Sequence, residues 1–191
     1  MARRKIKFIA GEYYHIYNRG CNRDRIFREE ENYRYLLSIT EEKVTSFHAA
    51  VIAYCLMPNH YHFLLRQDSD ASVGKCIQEI FNRYAKAFNA LYNRTGTLFE
   101  GPFKAVHVGE ETYLTHLCRY IHRNPLDAAL VSRIEDWKYS NYLEWIGLRK
   151  GSLMDKAFIQ DHFGDAREYK RFVMEYESPK HKKKIERYLF D

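Results

Sequence analysis

The sequence predicts an α+β fold of the ferredoxin-like, split βαβ type, in which an antiparallel sheet carries helices on one face. Short runs rich in Tyr, Ile and Val alternate along the chain with longer segments whose apolar residues recur at helical spacing. Their order is strand, helix, strand, strand, helix, strand, helix. With 191 residues the chain is long enough for one compact domain and an appendage.

The first half of the chain contains three predicted strands and two predicted helices. Residues 12–18 predict a strand that ends at an Asn-Arg-Gly turn signal. Residues 29–46 have helical spacing. Residues 48–57 and 60–66 are apolar runs separated by Pro-Asn, which predicts a hairpin with histidines at its tip. Residues 72–92 predict a long amphipathic helix with a serine as its N-cap.

The second half begins with a glycine-containing loop at 93–102 and a short predicted strand at 103–108. Residues 110–124 predict another amphipathic helix. We expect Pro125 to stop it, because the residue before a proline is disfavoured in the helical region. We divide the chain into a core at 1–129 and a helical C-terminal extension at 130–191, which packs on the core and includes a basic tail.

Composition favours a nucleic-acid partner. The net charge is +6, the pI is near 9.0, and there are 16 Tyr and 12 Phe, a combination that suits stacking of bases and pairing with phosphates. The longest apolar run, 49–57, is too short to cross a bilayer, so no membrane role is expected. The N-terminus has no signal-peptide pattern. No Cys-x-x-Cys pair occurs, and we expect a cytoplasmic location.

His60 and His62 form the sharpest local motif. Residues two apart on a strand point to the same side, so the two imidazoles project together. A pair of imidazoles on a rigid strand supplies half of a metal site without selecting the metal. The alternative interpretation is a pair of structural histidines in a hairpin.

A second group lies along the helix predicted at 110–124, on the flank of its apolar stripe. Positions three or four apart form one row, and a flank row can line a cleft. Arg119 and Arg123 are expected on the outer side of this helix. The alternative interpretation is that the row is only the boundary of an amphipathic helix. The row consists of Tyr113, His116, Tyr120 and Asn124.

Together these motifs resemble the IS200-like single-tyrosine transposases, and within them the REP-associated tyrosine transposases. The segment 58–62, Pro-Asn-His-Tyr-His, resembles their His-hydrophobic-His motif, and 120–125, Tyr-Ile-His-Arg-Asn-Pro, resembles their nucleophile helix. Segments 14–20, 96–104 and 137–140 also match, so the resemblance covers about residues 10 to 145.

The resemblance implies a DNA strand transferase in which Tyr120 attacks a phosphate and forms a covalent 5′-phosphotyrosine. It also implies Mg²⁺ or Mn²⁺ on His60, His62 and Asn124. His116 is a competing third ligand, because it lies one turn before Tyr120 in the same row. Tyr84 is the main rival nucleophile.

The implied partner is single-stranded DNA, such as a hairpin or repeat, bound by a monomer or a homodimer. Two alternatives remain open: a hairpin-binding protein that no longer cuts, and a metal-dependent hydrolase in which water attacks. The predicted DNA contacts, of which Arg19 and Lys104 are the strongest candidates, are Arg19, Arg23, Arg83, Lys86 and Lys104.

Overall fold

The computed structural model describes residues 6–175, and the predicted basic tail around 180–187 lies outside them. No helix in the described range is long and apolar enough to cross a membrane. The strands are β1 (Tyr13–Arg19), β2 (Ala49–Met57), β3 (His60–Gln67) and β4 (Lys104–Val108). The helices are α1 (Glu30–Ser46), α2 (Val73–Leu91), α3 (Glu111–Asp127), α4 (Tyr142–Trp145), α5 (Lys156–Phe163) and α6 (Ala166–Met174).

The four strands form one antiparallel sheet in the order β2-β3-β1-β4. This order and the two intervening helices confirm the predicted α+β, ferredoxin-like class. Both β1 and β3 are interior strands and are therefore hydrogen-bonded on both sides. Their register pairs Arg19 with His60 and Tyr17 with His62, and paired residues share one side of a sheet.

Strand alternation gives the sheet two different faces, each covered by helices. α1 and α2 pack on the first face, and α3 with the extension packs on the second. The expected placement of helices on one face therefore holds only for α1 and α2. The second face also carries apolar side chains, which need cover. The first face includes Tyr14, Ile16, Tyr61, Phe63 and Leu65, and the second includes His15, Tyr17, His60, His62 and Leu64.

Pro125 does not stop α3, contrary to the sequence prediction. The helix runs on to Asp127, and the backbone N–H of Ala128 still donates to the carbonyl of Asn124. A proline costs most in a helix interior, where it removes a hydrogen bond and crowds the preceding turn. Here it lies in the last turn. Asn124 is consequently a residue of the helix body and not a cap.

The extension is anchored to the core by Asn141, which is fully buried. Its Oδ1 accepts from the Tyr54 backbone N–H at 2.8 Å and from His122 Nε2 at 2.8 Å. Its Nδ2 donates to the carbonyls of Ile52 at 2.9 Å and Leu153 at 3.1 Å. One amide therefore links β2, α3 and the segment before α5. The boundary at residue 129 stays a prediction.

Arg119 and Arg123 do not face outward as expected, because α6 covers that side of α3. Arg119 is only 2% exposed, donates to the Phe172 carbonyl at 2.8 Å and lies over the Phe172 ring. Arg123 donates to the Val173 carbonyl at 3.2 Å. The carbonyls at the end of α6 thus accept hydrogen bonds from two guanidinium groups that the sequence pattern predicted to be in solvent.

We expect Asn141→Ala to destabilise the protein by about 3 kcal/mol, because the buried Tyr54 N–H and His122 Nε2 lose their acceptor and a cavity is left. Chemical denaturation followed by circular dichroism measures the change. Asn82→Ala, at an exposed position of α2, is the matched control and should change stability by less than about 0.5 kcal/mol. Equal stability of the two variants would show that the Asn141 linkage is dispensable.

Candidate active site

The residues with chemical potential meet on the second face of the sheet, where β1 and β3 lie against α3. β3 contributes His60 and His62, and α3 contributes Tyr120 and Asn124. The rings of His62 and Tyr120 meet edge to face with 5.5 Å between their centroids. The predicted histidine pair therefore lies together with two residues of the predicted helix row, Tyr120 and Asn124.

His60 is held by an asparagine on each side of its ring. Asn59 Nδ2 donates to the Arg23 carbonyl at 3.2 Å, which leaves Asn59 Oδ1 to accept from His60 Nδ1 at 2.7 Å. His60 Nε2 then carries a lone pair and lies 3.3 Å from Asn124 Oδ1. Two acceptor atoms therefore face each other across a gap that a cation can bridge.

His62 is almost fully buried, at 1% exposure. Its Nδ1 lies 3.0 Å from His15 Nε2, and the two rings stack with 5.2 Å between centroids. Within residues 6–175, its Nε2 is buried and has no hydrogen-bond partner. A buried polar atom without a hydrogen-bond partner is uncommon, and a role as a metal ligand is one physical reason for it.

Burial makes both histidines weak bases. It lowers the pKa of His60; the contact with Asn124 opposes this shift, and the positive charge of Arg19 adds to it. Burial also lowers the pKa of His62 well below its usual value, and the neighbouring rings of His15 and His60 lower it further. Both imidazoles are therefore neutral near pH 7, the form that binds a metal.

The three donor atoms suit a divalent cation that binds both nitrogen and oxygen ligands. No group of three or more His, Cys, Asp or Glu side chains in the described range forms a metal cluster. The set here is two imidazoles and one amide oxygen. Ligands about 2.1 Å from an octahedral ion lie about 3 Å apart. The separation of 3.3 Å between His60 Nε2 and Asn124 Oδ1 is close to that value.

The competing residues lie elsewhere. His116 contacts Arg119 through Nδ1 and stacks on Phe172 of α6. Tyr84 is 1% exposed in α2 on the first face, and its hydroxyl donates to the Ile26 carbonyl. Burial raises the pKa of Tyr84, so its hydroxyl is a poor nucleophile. Asn124 and Tyr120 are thus better placed than either rival.

Three of the five predicted DNA contacts lie at the end of the sheet next to the histidines. Arg19 is paired across the strands with His60 and forms a two-pronged ion pair with Glu100. The Lys104 ammonium is 5.9 Å from the centroid of the Tyr17 ring. Arg23 follows β1 and holds Asn59 through its carbonyl.

The other two predicted DNA contacts lie on the far side of the sheet. Arg83 and Lys86 are exposed on α2, which covers the first face. Arg83 forms an ion pair with Glu42 of α1 at 2.7 Å. The sheet therefore separates these two residues from the histidines.

His15 and Tyr17 complete the site, although neither was predicted to be a site residue. Alternation along β1 puts both on one side, but that side becomes relevant only through the pairing of β1 with β3. Strand pairing is a long-range property, so no local signal could have identified their neighbours.

The sequence matches the family model described as "Transposase IS200 like" over residues 9–124, more than half of the chain. A solved REP-associated tyrosine transposase bound to a REP hairpin is 18% identical, with a TM-score of 0.64 over 81% of this chain and 94% of that chain. A crystal structure of a transposase candidate from Deinococcus radiodurans R1 is 17% identical, with a TM-score of 0.44 over 63% of this chain and 97% of that chain. No curated protein sequence matches. At these identities, structural similarity supports the fold alone.

We expect Asn124→Leu to weaken Mn²⁺ binding at least tenfold, because it removes the oxygen that faces His60 Nε2. Titration followed by electron paramagnetic resonance measures the affinity. His116→Phe keeps an aromatic ring against Phe172 and should leave Mn²⁺ affinity unchanged. The reverse result, loss in His116→Phe and none in Asn124→Leu, would make His116 the third ligand.

Proposed function

The chain belongs to the family of IS200-like transposases, and from this we propose that it cleaves and rejoins single-stranded DNA with Tyr120 as the nucleophile. The observation that carries the proposal is the contact between the rings of Tyr120 and His62 on the second face of the sheet. This contact places Tyr120 next to the histidine pair. Tyr120 also lies one helical turn before Asn124 on α3.

The reaction is a transesterification at phosphorus. The Tyr120 hydroxyl loses its proton and its oxygen bonds to the phosphorus, while the bond from phosphorus to the 3′ oxygen breaks and that oxygen takes up a proton. The product is a 5′-phosphotyrosine and a free 3′ hydroxyl. One phosphodiester replaces another, so a 3′ hydroxyl can reverse the step without ATP.

Each site residue has its own role in this proposed reaction. A Mg²⁺ or Mn²⁺ ion held by His60, His62 and Asn124 would supply positive charge beside the scissile phosphate. α3 carries Tyr120 and Asn124 one turn apart, so the same helix orients the nucleophile and a metal ligand. All four residues meet within one chain, so the proposed reaction suits a monomer as well as a homodimer.

The proposed substrate is DNA that contains a hairpin, as in the solved relative bound to a REP hairpin. Arg19, Arg23 and Lys104 lie at the end of the sheet next to His60 and would contact the phosphates leading into the site. We place the reaction in the cytoplasm, where reducing conditions suit a chain whose four cysteines are free thiols.

The second candidate is a protein that grips hairpins without cutting them. The same basic residues would support it, because phosphate contacts need no nucleophile. The presence of Tyr120, His62 and Asn124 in one place favours the enzyme, since binding to phosphates requires none of them.

Tyr120→Phe should abolish the covalent complex with a single-stranded hairpin substrate, because it removes only the attacking oxygen. Incubation with Mn²⁺ and a denaturing gel measures the complex. Tyr113→Phe, two turns earlier on the same helix, is the matched control and should form the complex at the wild-type level. A complex that persists in Tyr120→Phe would contradict the assignment. Absence of a complex in the wild type under every divalent metal would favour the binding protein.

Lys104→Gln should weaken hairpin binding and reduce the slope of log affinity against log salt by about one, because one phosphate contact is lost. Fluorescence anisotropy at a series of salt concentrations measures both. Lys86→Gln makes the same chemical change on α2, behind the sheet, and should leave the slope unchanged. An equal effect of both substitutions would mean that the DNA also follows the α2 surface.

A further inference from the structure

His15 is a buried histidine beside the proposed metal site that the proposed reaction leaves without a role. It is fully buried in β1, and its Nε2 lies 3.0 Å from Nδ1 of His62. Its strand partner is Leu64, so it meets His62 diagonally across the β1–β3 pair. Both strands are interior, so the ladder fixes the spacing of the two rings.

The contact has a direction that matters for ligand binding. A neutral imidazole carries one proton, on either Nδ1 or Nε2. If His15 Nε2 accepts, the His62 proton sits on Nδ1 and the Nε2 lone pair is open to a ligand. If His15 donated instead, His62 Nε2 would carry a proton and could bind no metal. The buried His62 Nε2 has no hydrogen-bond partner in the described range, as the first arrangement requires of a ligand atom.

His60 shows the same arrangement independently. Its Nδ1 donates to Asn59 Oδ1, whose amide is fixed because Asn59 Nδ2 donates to the Arg23 carbonyl. Its Nε2 faces Asn124. Each histidine of the pair thus has Nδ1 occupied by one neighbouring side chain and Nε2 directed to the site. Such neighbours fix the tautomer and the ring orientation of metal-binding histidines.

We propose that His15 is a positioning residue that keeps the His62 ring in one orientation, with its proton on Nδ1 and its Nε2 lone pair available to a divalent ion. The inference rests on the proposed function, since it assumes that His62 is a metal ligand. It adds a residue of β1 to the set on which the site depends, together with a specific property, acceptance of a hydrogen bond, that the position must retain.

Two substitutions separate this role from simple packing. His15→Phe keeps a ring of similar size in the core and removes the acceptor. His15→Gln is smaller and not aromatic, but its amide oxygen can accept the proton of His62 Nδ1. If His15 only filled space, Phe would be the better replacement. If it positions His62, Gln would be.

The first measurement is ¹⁵N nuclear magnetic resonance of the histidine rings in the metal-free protein. We expect His62 to carry its proton on Nδ1 in the wild type and in His15→Gln, and to shift toward Nε2 in His15→Phe. A wild-type His62 with its proton on Nε2 overturns the inference without any variant. Circular dichroism spectra identify any variant that fails to fold.

The second measurement is Mn²⁺ affinity by electron paramagnetic resonance. We expect His15→Phe to bind about 10- to 100-fold more weakly than the wild type and His15→Gln to recover at least tenfold of that loss. Wild-type affinity in His15→Phe overturns the inference, even if the Tyr120 complex with DNA forms normally. If Mn²⁺ affinity depends on His15 but no covalent complex with DNA forms, the proposed function is contradicted and the role of His15 is supported.

Discussion

The antiparallel pairing of β1 with β3 is the constraint on which the rest of the site depends. Because both strands are interior, their register is set by hydrogen bonds on both sides, and it pairs Arg19 with His60 and Tyr17 with His62. A slip of one residue would turn His60 and His62 to the first face, among the aromatic side chains under α2. The geometry of the imidazoles is therefore a property of the sheet, not of the hairpin tip alone.

The second face of the sheet bears both histidines and apolar residues. The helix that packs on it must therefore present polar side chains to the histidines and apolar side chains to the rest. α3 provides it: Leu117 and Ile121 are buried among the second-face residues, while Tyr120 and Asn124 reach the histidines. The extension holds this helix from behind. Asn141 accepts from His122, and the carbonyls of α6 bind Arg119 and Arg123. Asn141 and α6 thereby contribute to placing Tyr120.

Local periodicity predicted which side chains share a face of one strand or helix. It could not predict which segments distant in sequence pack on that face. The common face of His60 and His62 follows from a period of two, and the row of Tyr120 and Asn124 follows from a helical period. The covering of Arg119 by α6 could not be predicted, because the short helices of the extension carry no motif that indicates where they pack. Pro125 was predicted to end α3, but its position in the last turn makes it tolerable.

If Tyr120 is the nucleophile, it becomes linked to the 5′ phosphate of cleaved DNA, and peptide mapping of the linked protein detects that bond. The protein would be incubated with a hairpin substrate and Mn²⁺, digested with nuclease and protease, and analysed by mass spectrometry. We expect one modified peptide, which contains Tyr120 bearing a nucleotide joined through its 5′ phosphate. A nucleotide on any other tyrosine, or one joined through its 3′ phosphate, would contradict it.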